Sequence, residues 1–188
     1  MTNQPICILL VEDSEDDALL ISREFKRSGL KYIMDRVETE ETLLSKLANQ
    51  DWDIVISDYN LPRFGGLMAL QLVKQQDEDL PFILVSGKIG EELAVEIMKA
   101  GADDYIMKDN MTRLAPAVLR AINDAVIKHK HRAAEKKIRE NEAHLRALFD
   151  STIQAMFLVD KNLRILWLNE MARAFTLGIY RESAKFTI

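Results

Sequence analysis

The stretch Ile6-Cys7-Ile8-Leu9-Leu10-Val11-Glu12-Asp13 decides the fold. Residues 6–11 form an unbroken apolar run of strand length, as expected of a strand covered on both faces, and the run stops at two acids where helical spacing takes over. The same design recurs down the chain. Ile54-Val55-Ile56-Ser57 ends at Asp58, Phe82-Ile83-Leu84-Val85 ends at Ser86-Gly87, and Tyr105-Ile106-Met107 ends at Lys108.

Amphipathic stretches at helical spacing lie between these runs, at residues 14–28, 39–49, 67–76 and 91–100, and residues 32–37 supply one further strand. Strand and helix therefore alternate, with five of each in about 125 residues, a normal single-domain size. That alternation predicts an α/β fold: a doubly wound, five-stranded parallel sheet with right-handed crossovers. In such sheets ligands sit outside the carboxyl ends of the strands, which is where Glu12, Asp13, Asp58, Ser86 and Lys108 fall.

The chemistry open to these residues follows from their charge. A carboxylate that attacks phosphorus forms an acyl phosphate, and three acids beside an incoming phosphoryl group concentrate so much negative charge that a cation is required. Mg²⁺ prefers near-octahedral oxygen ligation and keeps several waters, which suits carboxylates, a phosphoryl oxygen and one backbone carbonyl. The carbonyl of Asn60, two residues past Asp58, is the candidate. Lys108 adds a fixed positive charge, and the N–H of Gly87, with no side chain in the way, can approach a phosphoryl group.

Over about residues 5–128 the chain resembles the response-regulator receiver domains of two-component signalling. The resemblance implies a flavodoxin-like receiver fold. It also implies Mg²⁺ held by Glu12, Asp13 and Asp58, and a phosphoryl group accepted on Asp58 from a sensor histidine kinase or a phosphotransfer protein. Ser86 and Lys108 would contact the phosphoryl oxygens, and Tyr105 would be the switch aromatic, moving as the Ser86 hydroxyl moves. The chain departs from the family's pattern twice. Glu12 stands where Asp is commoner, and its extra methylene implies a metal contact through water. Asp109 stands where Pro is usual after the lysine, so that loop is expected to take a trans path.

Two readings from other classes remain at this stage: an aspartate-nucleophile phosphohydrolase, which would need an acid–base aspartate where Asn60 stands, and a receiver-like interaction module that is never phosphorylated. In the reading adopted, the chain is a phosphoacceptor switch with no enzymatic activity beyond its own phosphorylation and dephosphorylation. Ser14 and Asp17 read as a capping box, and Asp16 with Asp17 as complements to the helix dipole. Cys7 reads as a small buried hydrophobe. A net charge of −5 argues against a nucleic-acid partner. Neither a signal peptide nor an apolar span of membrane length appears, so the expected location is the cytoplasm, off the membrane.

Beyond Lys108 the character changes. Residues 109–112 offer helix caps, with Pro116 near the first turn, and Leu119, Ile122 and Val126 are expected to pack the last receiver helix on its sheet. Ile127, His131, Ala134, Ile138, Asn141, Leu145 and Leu148 then recur at alternating steps of four and three, a heptad seam that predicts a parallel homodimer through residues 127–148. A helix continuous over residues 114–149 would be roughly 54 Å long. Residues 155–160 and 164–169 read as a hairpin followed by a short helix over residues 170–175 capped by Asn169, which resembles the start of a PAS domain too short to complete the fold. The expected organisation is a receiver domain at 1–126, a coiled-coil linker helix at 127–149 and a partial PAS-like segment at 150–188 of a longer protein.

Overall fold

The computed structural model describes residues 4–62, 64–87 and 91–183, with the side chains of 91–92 and 177–183 excepted. The elements run in alternation: β1 Ile6–Val11, α1 Glu15–Ser28, β2 Tyr32–Val37, α2 Glu40–Asn49, β3 Ile54–Asp58, α3 Gly66–Gln76, β4 Phe82–Ser86, α4 Glu91–Lys99 and β5 Asp104–Met107. A 3₁₀ turn, Lys108–Arg113, then leads into the long helix α5, Leu114–Asp150. The five strands form one parallel sheet in the order β2-β1-β3-β4-β5. The chain winds one way from β1 to β2 and the other way from β3 onward, so a crevice opens between the carboxyl ends of β1 and β3.

Alternating side chains of each strand serve two cores. Ile8, Leu10, Ile54, Ile56, Ile83, Val85 and Ile106 meet α1 and α5 on one side of the sheet. Leu9, Val11, Val55, Phe82 and Leu84 meet α2, α3 and α4 on the other. This double burial is why the central strands β1, β3 and β4 read as near-continuous apolar runs rather than alternating ones.

Helix α5 docks through Leu114, Ala115, Ala117, Val118 and Ala121, all buried, with Ile122 half-buried beside them. The expected packing of Leu119 and Val126 is therefore corrected, since these residues are 51% and 45% exposed. The buried face of the helix is built instead from Leu114 and Val118 together with the small Ala115, Ala117 and Ala121. The residues expected to cap α5 are drawn into the 3₁₀ turn, where Met111 is buried and the Thr112 hydroxyl donates to Asn110 Oδ1. The peptide bonds of the described residues, the Lys108–Asp109 bond among them, are trans, as anticipated for a loop without proline.

By contacts the chain divides into two compact units, residues 1–130 and 131–188. In the second unit β6, Phe157–Val159, pairs antiparallel with β7, Ile165–Leu168, and α6, Glu170–Ser183, follows. Asp160 closes the hairpin by accepting the N–H groups of Asn162 and Arg164 on Oδ1, and Leu163 takes a positive φ of 63° in the turn. Asn169 caps α6 as expected, accepting Ala172 N–H at 2.9 Å, and it also accepts Met156 N–H and donates to the carbonyl of Gln154. Helix α6 extends well past the expected 170–175. Residues 184–188 of the expected PAS-like segment lie outside the described residues.

Candidate functional site

The crevice between β1 and β3 gathers most of the anticipated side chains. Glu12 and Asp58 are buried, at 0% and 5% exposure, whereas Asp13 is exposed. One oxygen from each of Glu12, Asp13 and Asp58 can be chosen so that all three lie within 4.8 Å of one another. Lys108 Nζ reaches over from the end of β5 to 3.2 Å from Asp58 Oδ2 and 3.5 Å from Glu12 Oε2. Glu12, Asp58 and Lys108 continue the alternation of Leu10, Ile56 and Ile106, so all three fall on the α1–α5 side of the sheet.

Ser86 closes β4, fully buried, and Gly87 follows it at an exposed position. Asn60 is exposed, two residues beyond Asp58. Tyr105 is half-buried on β5, across from Leu84 and one alternation before Met107, the partner of Ser86, so Ser86 and Tyr105 share the opposite side of the sheet. A Cβ placed on Gly87 would meet nothing within 4 Å among the described residues.

Three buried oxygens have no hydrogen-bond partner among the described residues: Glu12 Oε2 and Asp58 Oδ1 in the crevice, and Ser86 Oγ at the end of β4. Unsatisfied buried polar groups are costly in a folded protein, and the pairing of Glu12 with Asp58 at the β1–β3 crevice marks a place prepared for a ligand. Two are carboxylate oxygens, the donor type that Mg²⁺ selects, so the residues present fit that ion.

The electrostatics point the same way. Burial, with the charges of Asp58 and Asp17 adding to it, pushes the Glu12 carboxyl up from 4.5 to about 6, against the opposing pull of the Ser14 N–H and Lys108. Burial alone would lower Lys108, but the hydrogen bond to Asp17 and the charges of Glu12 and Asp58 outweigh it and hold the ammonium above its ordinary range.

Three further residues shape the site. Asp17, expected to complete a capping box, does not do so. Ser14 Oγ accepts the Asp17 N–H, but the Ser14 N–H goes to Glu12 Oε1 at 3.1 Å, and the Asp17 carboxylate turns to Lys108 Nζ at 2.6 Å. Arg36, at the end of β2, donates to the carbonyls of both Glu12 and Asp13, at 3.3 and 3.2 Å, and pins the β1–α1 connection. Gly66 opens α3 so close to β3 that a Cβ would stand 2.5 Å from the Asp58 carbonyl oxygen and 2.8 Å from Tyr59 Cα.

Residues 8–119 match the family described as response regulator receiver domain. The chain is 32% identical over 122 residues to response regulator protein FleR of Pseudomonas aeruginosa, covering 65% of this chain and 24% of FleR. It is 30% identical over 105 residues to a chemotaxis protein CheY homolog of Campylobacter jejuni, covering 54% of this chain and 79% of that protein. The chain thus spans about a quarter of the length of FleR and most of the CheY homolog. Among solved structures, the signal receiver domain of a LuxO repressor protein from Vibrio parahaemolyticus superposes with a TM-score of 0.60 at 27% identity, over 67% of this chain and 96% of that one.

Proposed function

Because the chain belongs to the response regulator receiver domain family, we propose that it is a phosphorelay switch in which Asp58 accepts a phosphoryl group from the phosphohistidine of a sensor histidine kinase or a phosphotransfer protein. The observation that carries this reading is the asymmetry of Asp58: Oδ2 is engaged by Lys108 at 3.2 Å, while buried Oδ1 has no hydrogen-bond partner among the described residues. An oxygen so placed is a nucleophile whose lone pairs are not already committed. Asp58 Oδ1 bonds to phosphorus, the phosphorus–nitrogen bond breaks, and the imidazole of the donor leaves with its electron pair and takes a proton.

Glu12, Asp13, Asp58 and the Asn60 carbonyl are the groups that would hold Mg²⁺, which neutralises the charge of the transferring phosphoryl group when bound. Lys108 supplies the second positive charge, from the β5 side. The Ser86 hydroxyl, without a hydrogen-bond partner among the described residues, donates to a phosphoryl oxygen, and the Gly87 N–H assists it. Ser86 moving toward the phosphoryl group vacates space on the side of the sheet it shares with Tyr105, and a shift of that ring carries the change to the surface between β4 and β5.

The phosphohydrolase reading lacks a proton-transfer group at residue 60, since the amide of Asn60 does not titrate. We assign the receiver to residues 1–126, a coiled-coil linker to 127–149 and a PAS-like segment to 150–188. The linker reading draws on Ile127, Ile138, Leu145 and Leu148, which stay exposed along one seam of α5 and so favour a parallel homodimer. No helix among the described residues is long and apolar enough to cross a membrane.

Intact-mass measurement after incubation with phosphoramidate tests the proposal. One added phosphoryl group, dependent on Mg²⁺ and absent in Asp58→Asn, is expected. A wild-type chain that gains no mass, or an Asp58→Asn chain that gains it equally, overturns it.

A further inference from the structure

Lys108, the cation assigned above to the phosphoryl group, is already engaged by another anion. Its shortest ion pair is with Asp17 Oδ2 at 2.6 Å, nearer than Asp58 at 3.2 Å or Glu12 at 3.5 Å. Asp17 projects from the first turn of α1, and its backbone N–H is held by Ser14 Oγ, so the carboxylate reaches Lys108 from a backbone position that the helix fixes. Lys108 in turn opens the 3₁₀ turn that leads into α5. A lysine ammonium has three donors, and charges this close interact strongly in a partly buried site. Whatever strengthens the hold of Asp17 on Lys108 weakens what Lys108 can give to a new anion beside Asp58.

Resting on the phosphoacceptor reading of Asp58, we propose that Asp17 is a positioning residue that competes with the phosphoryl group for Lys108. It acts as a built-in restraint on phosphorylation and ties Lys108 to the start of α1 until that group arrives. Its negative charge has two opposed consequences. It adds to the field that attracts Mg²⁺, and it opposes an anionic phosphodonor, both through its own charge and by holding back the lysine. Removing the charge while keeping the shape therefore moves the two affinities in opposite directions, which a residue that merely supports the helix would not do.

The test measures the Mg²⁺ dissociation constant by calorimetry and the half-saturating phosphoramidate concentration at saturating Mg²⁺, for the wild type, Asp17→Asn and Asp16→Asn. Asp16 is exposed in the same helical turn and carries the same charge. Asp17→Asn is expected to weaken Mg²⁺ by roughly three- to tenfold and to lower the half-saturating donor concentration by a similar factor, while Asp16→Asn moves each by less than about twofold. In a Lys108→Met background the gain toward donor conferred by Asp17→Asn should shrink to less than about twofold, because it acts through that lysine. Asp17→Ser gives the same comparison should the asparagine disturb the helix. A wild-type chain phosphorylated on Asp58 whose Asp17 variants match it in both constants, or whose Asp16 variant shifts as far, overturns the restraint alone. A wild-type chain that is not phosphorylated on Asp58 overturns the phosphoacceptor reading and the restraint with it.

Discussion

Replacing Glu12 by Gln should stabilise the metal-free protein, and the gain should depend on pH in a defined direction. Glu12 is fully buried among Asp58, Asp17 and Lys108, and its carboxyl is pushed up from 4.5 to about 6 mainly by that burial. Below about 4.5 the group is protonated in the folded and unfolded chains alike and costs nothing. As pH rises through about 6 the native carboxylate must ionise in its buried site, and stability falls by about 2 kcal/mol, the free-energy equivalent of the displaced pKa. The advantage of Glu12→Gln over the wild type should therefore grow from near zero at about pH 4.5 to about 2 kcal/mol at about pH 8, less whatever the amide loses by burying an N–H. Urea unfolding in EDTA measures it. Following the fluorescence of Trp52, buried in the receiver core, in a Trp167→Phe background isolates the receiver from the second unit. Saturating Mg²⁺ should reverse the order, because the charge of Glu12 then serves the cation. A variant no more stable than the wild type at the higher pH, or an advantage that does not change with pH, would refute the assignment of a ligand-ready buried charge to Glu12.

Gly66→Ala should cost about 1–3 kcal/mol in the same unfolding assay, because the added methyl meets backbone atoms of Asp58 and Tyr59 that cannot rotate away. Wild-type stability in that variant would show that α3 is free to withdraw from β3. Arg36→Met should weaken Mg²⁺ by roughly three- to tenfold in calorimetry while changing stability by less than about 1 kcal/mol, since Arg36 holds the carbonyls that aim Glu12 and Asp13. Unchanged affinity would remove it from the site. Sedimentation should show the wild type as a dimer and the Ile138→Glu, Leu145→Glu variant as a monomer, and a monomeric wild type would end the coiled-coil reading of α5.

The centre of the sheet was legible in the sequence because burial on both faces writes β1, β3 and β4 as apolar runs, each ending at or followed by a polar residue at the carboxyl edge of the sheet. Glu12, Asp58 and Lys108 could be found for the same reason: each ends or follows such a run. What the sequence did not carry is which polar group takes which partner. Ser14 and Asp17 have the spacing of a reciprocal cap, but once Glu12 turns back to take the Ser14 N–H, the Asp17 carboxylate is left for Lys108. Arg36 gives no signal of its own, because its role depends on β2 lying beside β1 in the register that pairs it with Leu10. Helix α5 turns Leu114 and Val118 to the sheet together with Ala115, Ala117 and Ala121, a face that side-chain size alone does not single out over Leu119 and Val126.

The central claim, that Asp58 is the residue phosphorylated, is tested most directly by trapping the bond itself. Borohydride reduces an aspartyl phosphate to homoserine with release of phosphate, and peptide mapping of the wild-type chain treated with phosphoramidate and Mg²⁺ then locates the modified position. Homoserine at position 58, absent without Mg²⁺, is the expected result. Homoserine at position 12, 13 or 17 instead, or a phosphorylated chain that yields none, would contradict the account.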